Sequence, residues 1–244
     1  MRPVVRRYPG RRWLERSLRE MVTRDHRMSP AAFRRRQWVT AGFVVLGAVV
    51  LGVSLRVEPG SPWFYPLTFG LAAVWTVGAF ASGRLHLGHI VTDDPDDEDG
   101  LVRPVVQPVV IGLALAGVFV AGALVVREVP LLSDQVERVL GFATEGTLPL
   151  LVVVTAVNGV AEELFFRGAA YAAIPRHPVA WTTVAYAVAT LATGNVMLAF
   201  AAILLGVVVG LQRRASGGIL APILTHCTWS LTMLLALPPI FGLR

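Results

Sequence analysis

Apolar residues run along the chain in seven stretches separated by short polar breaks: 38–55, 63–80, 105–126, 147–166, 179–193, 196–211 and 219–237. Most approach the roughly 20 residues that a helix needs to cross a bilayer. The fifth and sixth are shorter, and Gly194 and Asn195 between them predict a tight turn. A soluble helix keeps one polar face, whereas these stretches are apolar all round. The pattern predicts an all-α fold, a polytopic membrane helical bundle of about seven transmembrane helices.

Composition agrees with the pattern. Of 244 residues, 55% are hydrophobic and only 16% charged, with a mean hydropathy of +0.62. A soluble domain carries about 25% charge, so a disordered chain, a collagen-like chain and an ordinary cytosolic domain are excluded. The organisation read from the chain is a basic segment over 1–36, N-terminal transmembrane helices over 37–144 and a core over 145–244.

Charge is placed unevenly. All 22 cations are Arg, and 12 of them lie in residues 1–36 against Glu15, Glu20 and Asp25. A basic end on an apolar body predicts a membrane-surface partner, anionic lipid, rather than nucleic acid, because no base-reading motif accompanies the arginines. Leu14, Leu18, Met21 and Val22 recur at helical spacing beside Trp13, with Arg12, Arg16 and Arg19 around them. A helix lying on the leaflet and an unstructured basic tail both fit this stretch. The excess of arginine predicts a multi-pass protein of the cell membrane with a cytoplasmic N-terminus. Counting crossings then puts Arg167, Arg176, Arg213 and Arg214 inside, with Arg56, Arg127, Arg138 and Arg244 as exceptions.

The loop 84–104 holds Asp93, Asp94, Asp96, Asp97, Glu98 and Asp99, preceded by His86 and His89. Oxygen-rich loops bind hard cations, but this spacing matches no calcium loop, and a solvated linker is the plainer expectation. Cys227 is the single cysteine, so no intramolecular disulfide forms, and it reads as an apolar filler. His26 and His177 read as solvated loop residues.

The informative stretch runs Asn158-Gly159-Val160-Ala161-Glu162-Glu163-Leu164-Phe165-Phe166-Arg167-Gly168. Two adjacent acids near the end of an apolar run have no packing reason, since a charge at the bilayer centre costs about 2.5–3.5 kcal/mol on insertion scales. Glu163 and Arg167 stand four apart and share a helix face, so they can neutralise each other. Glu162 points roughly 100° away, with Asn158 one turn back to orient it. A positioned carboxylate of this kind can accept and return a proton. His226 and Ser230 stand four apart on the last apolar stretch, and a polar pocket between the fourth and seventh stretches follows from all four groups. Gly206 and Gly210 predict a close helix approach.

Glu-Glu-x-x-x-Arg followed by Gly168 resembles the first motif of the CPBP family of intramembrane proteases, the family of the CAAX prenyl endopeptidase, also called Abi. The spaced glycines at 206 and 210, followed by Arg213 and Arg214, are similar to the family's third motif. His226-Cys227-Thr228-Trp229-Ser230, preceded by Leu220-Ala221-Pro222, is similar to its last. The second family motif, Phe-x-x-x-His, departs: it reads Tyr186-Ala187-Val188-Ala189-Thr190, with Thr190 where the histidine stands.

The resemblance covers roughly 145–235 and implies an intramembrane endopeptidase acting on membrane-embedded or lipid-anchored peptides. Glu162 would be the base that activates water, and Glu163 an assisting or Arg167-paired carboxylate. His226 would hold the water or polarise the carbonyl, with Thr190 and Ser230 as minor polar members. No cofactor is assigned with certainty. Zinc usually takes three protein ligands plus water, and Glu162, Glu163 and His226 are the set that remains; Asn158 and Asn195 are poor substitutes. The missing histidine also keeps open a non-catalytic, immunity-type scaffold of the same fold.

Overall fold

The computed structural model describes residues 17–19, 28–91 and 101–243. The predicted surface helix around Trp13, Leu14, Met21 and Val22, and the acidic run from Asp93 to Asp99, lie outside them. The described chain is a bundle of eight helices: α1 Pro30–Ser54, α2 Phe64–Ser82, α3 Val106–Val126, α4 Pro130–Thr144, α5 Leu148–Glu163, α6 Pro178–Leu191, α7 Val196–Ser216 and α8 Leu220–Ile240. Helix α5 continues through a π-helical stretch, Leu164–Ala170, and a last turn, Tyr171–Ala173. A minimal antiparallel pairing of β1 Ile90–Val91 with β2 Leu101–Val102 closes the connection from α2 to α3.

Among the described residues, six helices are long and apolar enough to cross a membrane: α1, α2, α3, α5 with its extension, α7 and α8. The fifth predicted stretch becomes α6, whose 14 residues span only about 21 Å at 1.5 Å per residue. It ends in the expected turn, with Gly194 at φ +75°.

Three boundaries differ from the sequence reading, each for a local reason. Helix α1 starts at Pro30 because Ser29 caps it, its Oγ accepting from the Ala32 amide at 3.2 Å. The basic segment therefore runs into the first helix. Arg36 is buried, and its guanidinium donates to the carbonyls of Ser82 at 3.2 Å and Arg84 at 2.9 Å. It closes the C-terminus of α2, where unpaired carbonyls favour a cation. Helix α7 extends to Ser216 and carries Arg213 and Arg214 in its last turn, which Gly217 ends in the left-handed region at φ +68°. Residues 127–146, read from the sequence as a loop, contain α4. Its Asp134, Glu137 and Arg138 break any apolar run, while Leu140 and Phe142 on the other face are buried. Gln135 of α4 closes the start of α7: its carbonyl accepts from Asn195 Nδ2 at 2.6 Å and its Oε1 from the Val196 amide at 2.8 Å.

The core lies directly behind the Glu-Glu motif. Trp75 of α2 is 1% exposed and packs on Phe165 and Phe166, with ring centroids 4.7 and 5.1 Å apart. Phe166 packs in turn on Tyr186 of α6 at 4.9 Å. Helix α3 packs along α8, where Thr225 Oγ1 donates to the Pro108 carbonyl at 2.8 Å. Two of the first three helices thus brace the elements that carry the motifs. Gly206 lets α6 and α7 approach as its spacing predicts: a Cβ there would lie 3.0 Å from Thr183 Cγ2 and 3.2 Å from Arg167 Nη2.

Candidate active site

Glu162 and Glu163 sit where α5 passes from α-helical to π-helical winding. Such a change inserts an extra residue into the turn and is frequent at functional sites. Here it follows two adjacent acids whose carboxylates both turn toward His226 of α8. His226 Nδ1 is 2.7 Å from Glu163 Oε1, and His226 Nε2 is 3.9 Å from Glu162 Oε2. Gly159 faces α8 at this level: a Cβ there would meet His226 Cδ2 at an ordinary 3.6 Å and crowd Cys227 Sγ at 3.3 Å.

The Glu163–Arg167 pair forms as the four-residue spacing predicts, with Arg167 Nη1 donating to Glu163 Oε1 at 3.1 Å. Both side chains are fully buried in the bundle. The guanidinium lies 5.0 Å from the centre of the Tyr186 ring, on which a cation is attracted by the π face. The backbone at Arg167 is fixed from α7, because Arg213 Nε donates to the Arg167 carbonyl at 2.6 Å. Glu163 Oε1 therefore accepts from both Arg167 and His226. An ionised acceptor draws the imidazole proton to Nδ1 and leaves Nε2 to face Glu162.

Glu162 is held from a third helix. The Tyr186 hydroxyl donates to Glu162 Oε2 at 2.5 Å. Tyr186 stands at the aromatic position of the departed second motif, where the sequence reading saw only a ring. Its hydroxyl is the functional group that reading missed, and the Tyr-for-Phe difference was the available signal. Arg213, named with the third motif but given no site role, holds the Arg167 backbone from the last turn of α7.

Other predicted members stand apart from this cluster. Thr190 turns its hydroxyl back to the Tyr186 carbonyl at 2.8 Å, the usual bond of a helical threonine to the preceding turn. Asn158 Nδ2 donates to the Val154 carbonyl at 3.0 Å and not to Glu162. Asn195 caps α7, accepting from the Leu198 amide at 3.0 Å. Ser230 Oγ lies 3.4 Å from the Cys227 carbonyl and lines an apolar cavity of about 450 Å³ with Phe119, Leu151, Thr155 and Trp229. Neither Glu162 nor His226 lines that cavity, so it is not the shared polar pocket expected between them.

The donor set does not suit a zinc ion. Glu163 Oε1 is already shared by Arg167 and His226 Nδ1, so of this carboxylate only Oε2 stands without a hydrogen-bond partner. Among the described residues, no group of three or more His, Cys, Asp or Glu is arranged to hold a metal.

The order of these groups along the chain matches a known family. Residues 144–232 fit the family described as Type II CAAX prenyl endopeptidase Rce1-like. This segment is similar to that family. It takes in α5 with its π-helical extension, α6, α7 and the part of α8 that carries His226, a little over a third of the chain. No curated protein and no solved structure gives a match. The Rce1-like similarity agrees with the CPBP resemblance, and the six helices among the described residues that are long and apolar enough to cross a bilayer fit a multi-pass membrane protein.

Proposed function

We propose that the Rce1-like domain is an intramembrane endopeptidase that hydrolyses membrane-embedded or lipid-anchored peptides. The observation that carries this reading is the approach of His226 Nε2 to 3.9 Å from Glu162 Oε2. That separation is too long for a direct hydrogen bond and suits two groups that share one water molecule. In the reaction, a water between them loses a proton to the Glu162 carboxylate. Its oxygen bonds the peptide carbonyl carbon, and the carbonyl π pair moves onto oxygen. When the pair returns, the C–N bond breaks, and Glu162 gives its proton to the departing amine. His226 holds the water through Nε2, while Glu163, neutralised by Arg167, fixes the ring. Ser230 and Thr190 take no step. The arginine-rich N-terminus lies on the cytoplasmic side of the cell membrane against anionic lipid.

The test is proteolysis in liposomes by wild type, Glu162→Ala and His226→Ala, with a quenched-fluorophore peptide carrying a lipid-modified cysteine. Cleavage by wild type and loss in both variants is expected. Equal cleavage by all three removes the mechanism.

One observation favours a non-catalytic scaffold. Glu163 Oε1 is taken up by Arg167 and His226, and the Thr190 hydroxyl is turned to its own helix. On that reading wild type cleaves no peptide, while Glu162→Ala and His226→Ala only lower stability.

A further inference from the structure

We propose that Tyr186 is the positioning residue for the Glu162 base, an inference that rests on the endopeptidase reading. Among the described residues, the hydrogen bond given to the Glu162 carboxylate comes from the Tyr186 hydroxyl. No side chain of α5 does this work, because Arg167 is engaged with Glu163 and Asn158 with its own helix. A glutamate has three rotatable bonds, and without a fixed partner its carboxylate samples directions away from His226. The phenol removes that freedom because it is itself immobilised. Its ring packs on Phe166 at 4.9 Å and carries the Arg167 guanidinium at 5.0 Å. Its backbone carbonyl accepts the Thr190 hydroxyl.

Tyr186 also joins the two halves of the site. It touches Glu162 through oxygen and Arg167 through its ring face, so it sets Glu162 relative to the Glu163–Arg167 pair that orients His226. The bond occupies one lone pair of Oε2 and leaves the remaining carboxylate lone pairs to take a proton from water. The benefit is geometric: a displacement of about 1 Å in a reacting group can lower a rate 10²-fold.

Tyr186→Phe is the appropriate variant, because it deletes the oxygen and keeps both ring contacts. In the full-length protein in liposomes, with the lipid-modified peptide as probe, kcat should fall about 10- to 100-fold with KM unchanged. A thermal midpoint close to that of wild type would show the fold intact. In glutamate-labelled protein, the infrared carboxylate band that Glu162→Gln removes should shift in Tyr186→Phe, which a purely structural ring would not cause. Unchanged kcat, or a raised KM alone, overturns the positioning role and leaves the endopeptidase reading standing. A carboxylate band that does not move also overturns it. Absence of cleavage by wild type itself overturns the endopeptidase reading, and this inference with it.

Discussion

His226 Nδ1 meets Glu163 Oε1 at 2.7 Å across 63 residues of sequence, and the same carboxylate oxygen receives Arg167 Nη1 at 3.1 Å. One carboxylate oxygen thus receives both groups, an arrangement that fits an imidazole proton on Nδ1. This places the lone pair on Nε2, the nitrogen that faces Glu162.

Glu163→Gln tests that arrangement. An amide can donate to Nδ1 and so reverse the tautomer. The expected result is a fall in kcat of about 10²-fold or more, comparable in kind to replacing the orienting acid of a hydrolytic triad. Nitrogen-15 spectra of labelled histidine should show His226 protonated at Nδ1 in wild type and not in the variant.

Arg167→Met should destabilise the protein strongly. It leaves the Glu163 carboxylate buried with one partner fewer, and breaking a buried pair from one side costs about 3–5 kcal/mol. The double variant Glu163→Gln with Arg167→Met should recover much of that loss, because no isolated charge remains. Denaturant unfolding in detergent of the two variants and wild type checks both halves. Equal instability of single and double variants would mean that the pair does not act as a unit.

Gly218→Ala probes the junction between α7 and α8. A Cβ at Gly218 would lie 2.0 Å from the carbonyl carbon of Leu87. The strand-like segment there closes the first turn of α8, since His86 and Leu87 carbonyls accept from the amides of Ile219 at 2.9 Å and Leu220 at 3.0 Å. Backbone cannot yield as a side chain end can, so the segment must lift away. A loss of about 1–3 kcal/mol is expected for such overpacking, read as a lower thermal midpoint, with His226 displaced and activity reduced in parallel.

His89 makes stability depend on pH. Burial, with Arg103 nearby, holds its imidazole below the ordinary histidine value. The native state therefore prefers it neutral, and the unfolded chain binds the proton first as pH falls. Its contribution is fully present above the unfolded value of about 6.5 and is lost as pH falls from there through the lower folded value. Thermal midpoints measured from pH 8 to pH 5 should decline in wild type and decline less in His89→Gln.

The parts of the site that lie close in sequence were legible. Glu163 and Arg167 are four apart, and helix geometry alone makes them neighbours. His226 was singled out because it stands in the stretch similar to the family's last motif and because Glu162 and Glu163 offered it a shared polar pocket. Tyr186 was different: its ring fits an apolar helix as well as phenylalanine does, and only the packing of α6 against α5 turns its oxygen toward Glu162. Thr190 illustrates the converse. Its position in the motif suggested a site member, but a threonine in a helix finds the carbonyl one turn back, and that bond is available before any tertiary contact forms. Helix α4 escaped notice because its charged face interrupts the apolar run by which membrane helices are recognised.

The order of apolar and polar residues was by itself enough to determine a multi-helix membrane protein and the approximate ends of its long helices, and it drew attention to the acids and imidazole proposed to carry its chemistry. Solvation explains this: a long apolar segment has few alternatives to a helix in lipid, and an acid within it needs a partner. Only the tertiary structure decided which partner each polar group takes, because those bonds run between helices and depend on how α5, α6, α7 and α8 cross. A glycine, a π-helical turn and a phenol hydroxyl set those crossings and contacts, and none of them changes the hydropathy of the chain enough to be seen there.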